Sequence, residues 1–263
     1  MLAALALILC TSCELPAMPT AGIDARLVDV ELVLAVDVSG SMDEKEFALQ
    51  RAGYVEALRH ADFVNAVLSG RRGRIALTYF EWSGSVREES VIPWQIIDGP
   101  DSADNFAAKL ASRALGGSGG TSISGAVTFG ASLFERNDLE GEKRVIDISG
   151  DGPNNSGIPV DIARDKVVSS GIIINGLPIL VRPSRTLEEL DRYYAECVTG
   201  GPGSFVLPIH AASEFVTAIR HKLILEVSGP IDASEVVVKV KARQPFDCLA
   251  GEHYRLIYPE PER

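Results

Sequence analysis

The chain has 263 residues, a length that can bury one substantial core, and its composition is 46% hydrophobic and 23% charged. These proportions are ordinary for a globular protein and exclude a wholly disordered chain. The 25 Lys and Arg residues against 36 Asp and Glu residues leave a net charge of −11. Such a surface repels phosphate backbones, which argues against nucleic-acid binding, and we interpret the acidity mainly as a source of solubility.

Residues 1–22 are predicted to be a secretory leader. The apolar run over residues 1–9 is shorter than the about 20 residues that a membrane-spanning helix needs, and small residues follow it up to Ala21. One feature is unusual, because no Lys or Arg precedes Arg26 and the basic start of a signal is missing. We expect a periplasmic or secreted protein with no transmembrane span in the mature chain.

The cysteines bear on anchoring and on disulfide formation. Cys13 follows a Thr-Ser pair and partly resembles the acylated cysteine of bacterial lipoproteins, although Cys10 stands where such signals carry Leu. A lipid anchor at Cys13 is thus an alternative to an unanchored mature chain. Cys197 and Cys248 remain after the leader, and in an exported protein they form either a disulfide or two buried free thiols.

Strand-like and helix-like segments alternate from residue 28 to residue 226, which we predict to be one domain. Runs typical of strands occupy residues 31–36, 74–82, 86–94, 144–149, 172–174 and 205–207. Helical spacing occupies residues 43–67, 102–115, 123–134, 160–168, 187–197 and 211–225. This alternation predicts an α/β fold: a doubly wound, mostly parallel sheet flanked by helices, with residues 86–94 as an antiparallel edge strand. Residues 227–263 are expected to be a C-terminal extension with a strand or hairpin near residues 236–241.

Short oxygen-bearing side chains occupy three loops at one edge of the predicted sheet. Asp37, Ser39 and Ser41 alternate along the first loop, so they face the same side of an extended chain. Thr121 follows a loop of glycine and serine, and Asp151 lies between two glycines directly after a buried strand. Each position also has a simpler explanation, as a helix cap, a strand end or a turn. Their joint placement at the carboxyl edge of one sheet favours a common site.

Five oxygen-bearing residues without Cys or His suit a hard cation. Mg²⁺ prefers oxygen ligands and keeps waters, and Mn²⁺ or Ca²⁺ accepts a similar set. The two carboxylates nearly neutralise a dication, whereas the hydroxyls add no charge. The metal would therefore remain electrophilic enough to accept a further carboxylate from outside.

The three loops carry the motifs Asp37-Val38-Ser39-Gly40-Ser41, Gly120-Thr121-Ser122 and Ser149-Gly150-Asp151-Gly152. These motifs resemble the metal-ion-dependent adhesion site of von Willebrand factor A-type domains. More narrowly, residues 79–82, 121–125, 150–155 and 197–203 resemble an uncharacterised bacterial branch of exported A-type domains. The resemblance implies that Ser39, Ser41 and Thr121 contact the metal directly, while Asp37 and Asp151 act partly through water. It also implies that the closing helix, residues 211–225, shifts when a ligand binds.

Four further residues are candidates for a rim that reads a partner: Glu81, Trp82, Asn154 and Asn155. Each lies at or just beyond the carboxyl end of a predicted strand. For Trp82 we favour packing in the core, because a large aromatic side chain is rarely left exposed. Asn154 and Asn155 follow a proline and have the simpler interpretation of shaping a turn.

These patterns predict a non-enzymatic, cation-dependent protein-binding module for adhesion or scaffolding, whose metal completes its shell with an acidic side chain of a protein partner. One alternative is a metal-dependent hydrolase of phosphate or ester substrates, but the three loops contain no Lys or Arg to hold transferring charge. A second alternative is a structural envelope protein whose metal only stabilises the fold.

Overall fold

The computed structural model describes residues 26–40, 44–114, 116–117, 119–182, 187–228 and 245–257. Within these ranges one sheet contains β1 (Leu27–Asp37), β2 (Ile75–Trp82), β3 (Val86–Ile97), β4 (Glu140–Gly150) and β5 (Ile172–Pro178). Their spatial order is β3-β2-β1-β4-β5, with β3 antiparallel to β2 and the other neighbours parallel. The predicted α/β class, with a mostly parallel sheet and an antiparallel edge strand, is confirmed.

Helices cover both faces of the sheet. They are α1 (Glu44–Arg59), α2 (Ala61–Leu68), α3 (Pro100–Ala111), α4 (Ile123–Phe134), α5 (Val160–Ser169), α6 (Leu190–Tyr193), α7 (Phe215–Ser228) and α8 (Ala250–Ile257). One hydrophobic core lies against α1, α2, α3 and α7, and a second lies against α4, α5 and α6. Leu32 and Leu34 of β1 face the first core, whereas Val33 and Ala35 face the second. Both faces of β1 are thus covered, which explains its almost continuous apolar sequence.

Two predicted helices are interrupted. The helical pattern over residues 43–67 is divided at His60, which has extended backbone and whose Nδ1 accepts the Asp62 N–H at 3.2 Å. His60 thereby caps α2 and starts a new helix, a role that polar caps commonly have. The pattern over residues 187–197 begins as α6 and continues as a π-helical turn, Tyr194–Val198. Helical periodicity located these segments but did not reveal the breaks.

The prediction of a strand at residues 205–207 is wrong, because the segment does not form a regular strand. The segment runs beside β5 and makes isolated hydrogen bonds with it: Gly176 N–H donates to Phe205 O at 3.0 Å, and Leu207 N–H donates to Gly176 O at 3.0 Å. Pro178 of β5 has no N–H to donate to the Leu207 carbonyl, so the parallel ladder is interrupted there and resumes where the Ile209 N–H donates to the Pro178 carbonyl at 2.9 Å. The missing donor leaves isolated bridges in place of a regular strand.

The C-terminal extension is described only in part. Residues 245–257 include α8, and a disulfide joins Cys248 to Cys197 of the π-helical turn with a Cα–Cα distance of 5.5 Å. The leader, Cys13, Ser41 and the strand or hairpin near residues 236–241 lie outside the described residues. In the part of the chain that is described, no helix has the length and hydropathy to cross a membrane.

Candidate metal centre

The carboxyl ends of β1 and β4 lie side by side at the middle of the sheet. Val36 of β1 is paired with Ser149 of β4, so Asp37 and Gly150 follow at the same edge. The chain after β1 enters α1 on one face, and the chain after β4 leads to α5 on the other face. Loops that leave in opposite directions open a crevice, which is where doubly wound sheets bind ligands.

Asp37 is fully buried at this edge. Its Oδ1 accepts the backbone N–H of Ser39 at 2.7 Å, so the loop turns back on the carboxylate and brings Ser39 beside it. Its Oδ2 is also buried and has no hydrogen-bond partner among the described residues. A buried carboxylate oxygen without a partner is costly, because the low-dielectric interior disfavours the charge.

Burial, and then the charge of Asp151, raises the pKa of Asp37 well above its usual range, against the smaller opposing effects of the Ser39 hydroxyl and of the Ser39 and Asp151 amides. The Tyr194 hydroxyl lies at the same place. A Cβ added to Gly150 would lie 2.7 Å from Tyr194 Oη and 2.8 Å from Asp37 Oδ2, so both atoms crowd this glycine. Burial, followed by the charges of Asp37 and Asp151, raises the pKa of Tyr194. Sequence reasoning missed Tyr194, because a tyrosine within a helical pattern is indistinguishable from a core residue.

Thr121 is tied to the loop that carries Asp151. The Thr121 N–H donates to Asn155 Oδ1 at 2.9 Å, and the Asn155 N–H donates to the Thr121 carbonyl at 2.9 Å. A Cβ added to Gly152 would lie 3.9 Å from Thr121 Oγ1, so the hydroxyl lies near the turn that follows Asp151. The second and third loops therefore meet, and Asp37, Ser39, Thr121 and Asp151 come together at one edge of the sheet.

The prediction that Glu81 lies on an exposed rim is wrong. Glu81 is buried, forms a close ion pair with Arg51, and pairs with Arg87 Nη1 at 3.1 Å. Arg87 Nη1 also donates to the Gly116 carbonyl at 2.6 Å, and Arg51 Nη2 donates to the Ala114 carbonyl at 3.4 Å. Through these two guanidiniums, Glu81 positions the backbone at residues 114 and 116, which precede Thr121 in the second loop.

Trp82 and Asn154 are not on a rim either, because both are fully buried. Trp82 packs in the core on the α4 face, as the simpler interpretation had it. The Asn154 side chain accepts the Ser124 N–H at 3.0 Å and donates to the Ile158 carbonyl at 3.2 Å, which fixes the third loop on the start of α4. Asn155 is half-buried and uses its side chain to hold Thr121.

The donor set suits a hard cation in its chemistry. Among the described residues, no group of three or more His, Cys, Asp or Glu side chains is placed to hold a metal ion. The candidate set is of another kind, with two carboxylates and several hydroxyls. The unpartnered Oδ2 of Asp37 and the charge of Asp151 beside it are the features that a dication would compensate.

Comparison with known proteins identifies the fold. The model of a family described as "Protein of unknown function (DUF1194)" matches residues 27–231. No curated protein matches the sequence. Proximal thread matrix protein 1 from the mussel byssus is 14% identical with a TM-score of 0.57, over 76% of this chain and 48% of that chain. The pilus adhesin SpaC from Lactobacillus rhamnosus GG is 14% identical with a TM-score of 0.56, over 76% of this chain and 31% of that chain.

A von Willebrand factor type A protein from Catenulispora acidiphila is 15% identical with a TM-score of 0.53, over 76% of this chain and 43% of that chain. A further structure of the mussel protein has a zinc-occupied MIDAS motif; it is 15% identical, with a TM-score of 0.53, over 76% of this chain and 48% of that chain. The chain thus spans less than half the length of each of these proteins. At such identities the likeness concerns the fold, and the von Willebrand factor A fold that the motifs suggested is confirmed.

Proposed function

Because the chain belongs to DUF1194, a family of proteins of unknown function that shares the von Willebrand factor A fold, we propose that it is a cation-dependent protein-binding module. Its partner is a protein that presents an acidic side chain, and the module acts without catalysis in adhesion or scaffolding. We further propose that the protein is exported and works in the periplasm or outside the cell.

The observation that carries the proposal is the state of Asp37. Its Oδ2 is buried without a hydrogen-bond partner among the described residues, and the neighbouring charge of Asp151 raises the pKa further. Two carboxylates held together in this way destabilise the folded protein unless a cation or a proton compensates their charge. A bound cation explains why both carboxylates stand at the crevice of the sheet.

Asp37, Ser39, Ser41, Thr121 and Asp151 would hold Mg²⁺, or Mn²⁺ or Ca²⁺ in its place. The cation supplies positive charge at the edge of the sheet and attracts a carboxylate of the partner. The chain's own residues do the positioning: the Ser39 amide orients the Asp37 carboxylate, and Asn155 holds Thr121 against the third loop.

The first test is thermal unfolding with and without the metal. Millimolar Mg²⁺ or Mn²⁺ should stabilise the wild-type protein by about 2.7 kcal/mol at one hundred times the dissociation constant. Asp151→Ala should abolish this gain. Asp138→Ala is the matched control, because Asp138 is 96% exposed and precedes β4, at the opposite end of that strand. A wild-type melting temperature that neither metal changes would contradict the proposal.

The second test is capture of partners from an envelope extract, with and without a chelator. A protein that is retained by the wild type, lost with chelator and lost with Asp151→Ala supports a metal-dependent binding module. Metal-dependent stability without any metal-dependent capture would instead support a purely structural cation. Turnover of phosphate or ester substrates that Asp151→Ala abolishes would favour a hydrolase.

A further inference from the structure

The C-terminal segment, residues 245–257, packs directly on the third loop of the candidate site. Gly251 at the start of α8 lies so close to the Asn154 carbonyl that an added Cβ would be 2.0 Å from its oxygen. Real side chains do not approach backbone this closely, so a residue without Cβ is required at this position. The extension is therefore fitted to the loop that carries Asp151.

Two side chains of α8 hold this loop. Glu252 Oε1 accepts a hydrogen bond from Asn154 Nδ2 at 2.7 Å, and Arg255 Nη1 donates to the Asn155 carbonyl at 3.0 Å. Asn155 is the residue whose side chain and N–H bond the backbone of Thr121. A continuous chain of contacts thus runs from α8 through Asn154 and Asn155 to Thr121.

The segment is tied to the domain at its other end. Cys248 is bonded to Cys197, and the Phe246 N–H donates to Glu196 Oε2 at 3.1 Å. The Phe246 ring packs edge-on against Tyr193, with centroids 6.0 Å apart, and the Arg192 guanidinium lies 4.9 Å from its centre. An eight-residue helix is not stable alone in water, so its order depends on these attachments.

We propose that residues 245–257 are a brace that positions the third loop and Thr121, and thereby sets the affinity of the site for its cation. This inference rests on the proposed function, since it assigns the extension to the same site. Glu252 and Arg255 are positioning residues, and the Cys197–Cys248 disulfide, with the contacts of Phe246, holds them in register. Outer groups that orient ligands commonly change metal affinity by about 10- to 100-fold when they are removed.

The test measures Mn²⁺ affinity by calorimetric titration of the full chain. Glu252→Ala and the double variant Cys197→Ser/Cys248→Ser should each bind Mn²⁺ at least about tenfold more weakly than the wild type. Glu252→Gln should restore the affinity, because its amide oxygen still accepts from Asn154. Leu256→Ser is the matched control on the same helix, where the side chain is 82% exposed, and should bind as the wild type does.

A second measurement separates failure of the brace from failure of the proposed function. Hydrogen exchange of the Thr121 and Asn155 amides, measured without metal, should accelerate in Glu252→Ala and return to the wild-type rate in Glu252→Gln. If the wild type binds no Mn²⁺, the proposed function fails, and the exchange rates alone decide the brace. Unchanged exchange in Glu252→Ala would overturn the inference. Wild-type Mn²⁺ affinity in both Glu252→Ala and Cys197→Ser/Cys248→Ser would overturn it as well.

Discussion

The ammonium of Lys222 on α7 lies 2.9 Å from Oδ1 of Asp147 on β4, and both side chains are only 1% exposed. Lys222 also pairs with Glu226 Oε1 at 2.6 Å, and Asn175 of β5 donates to the other oxygen of Glu226 at 2.6 Å. Two carboxyl groups and one ammonium are thus buried together between α7 and the sheet. Lys222 and Glu226 both lie on α7, so their contacts with Asp147 of β4 and Asn175 of β5 tie that helix to the sheet.

Lys222→Met should destabilise the fold by about 3–5 kcal/mol, because it leaves two buried carboxyl groups without their cation. Burial already raises the pKa of Asp147 and of Glu226, against the opposing charge of Lys222. A carboxyl group with a raised folded pKa contributes stability below its unfolded pKa, and this contribution is lost as the pH rises through the folded value. Without Lys222 the loss should be larger at pH 8 than at pH 5.

Urea unfolding at both pH values measures the effect of Lys222→Met. Lys109→Met serves as control, since Lys109 is exposed and its ammonium donates to the neutral side chain of Gln95 at 2.9 Å. Equal stability losses at pH 5 and pH 8 would show that the two carboxyl groups do not depend on Lys222 for their charge.

Glu81→Gln should cost about 3–5 kcal/mol, because it leaves the buried guanidinium of Arg51 without its carboxylate. It should also weaken Mg²⁺ stabilisation, since Arg51 and Arg87 hold the chain that leads to Thr121. Glu89→Gln is the matched control: Glu89 also pairs with Arg87, at 3.1 Å, but is 70% exposed. Chemical unfolding of the two variants, with and without Mg²⁺, gives the comparison. Similar losses in both would mean that burial of Glu81 is not what matters.

Gly150→Ala should remove Mg²⁺ stabilisation and destabilise the metal-free protein by about 1–3 kcal/mol. The added methyl group would lie within 2.8 Å of both Tyr194 Oη and Asp37 Oδ2, so one of them must move. Gly99→Ala is a suitable control, because a Cβ there meets no atom within 4 Å. Thermal melts with and without Mg²⁺ give both quantities. Unchanged Mg²⁺ stabilisation in Gly150→Ala would show that the cation does not lie beside Asp37.

Reduction of the Cys197–Cys248 disulfide should lower the free energy of unfolding by about 2–4 kcal/mol, as expected for a cross-link that closes a long loop. The sequence separation of the two cysteines is 51 residues. Guanidinium unfolding with and without a thiol reductant measures the loss. The double variant Cys197→Ser/Cys248→Ser should show the same loss and no further response to reductant. A reductant that leaves the wild-type midpoint unchanged would contradict the expectation.

Local patterns along the chain were enough to predict the fold class. Continuous apolar runs mark strands covered on both faces, and short oxygen-bearing residues follow two of these strands at the candidate site. The common edge of Asp37 and Asp151 could be predicted because the carboxyl ends of neighbouring parallel strands meet there whatever the details of packing. Thr121 instead follows the loop after α3, and its place was predicted from the glycine and serine residues of that loop. Tyr194 and the break at His60 were missed, since they depend on neighbours that are distant along the chain or on the geometry of a single turn.

Only the tertiary structure decided in which direction the side chains point. Glu81 and Trp82 end β2 and Asn154 follows β4, as rim residues would, yet all three are buried among partners from α1, β3, α4 and α8. Nothing in the sequence shows that Glu252 of the extension reaches Asn154, about one hundred residues earlier. The sequence determined which groups stand at the edge of the sheet, through periodicity and spacing. Long-range packing decided which of these groups face the crevice and which are buried and fix the loops around it, because burial and pairing depend on the whole fold.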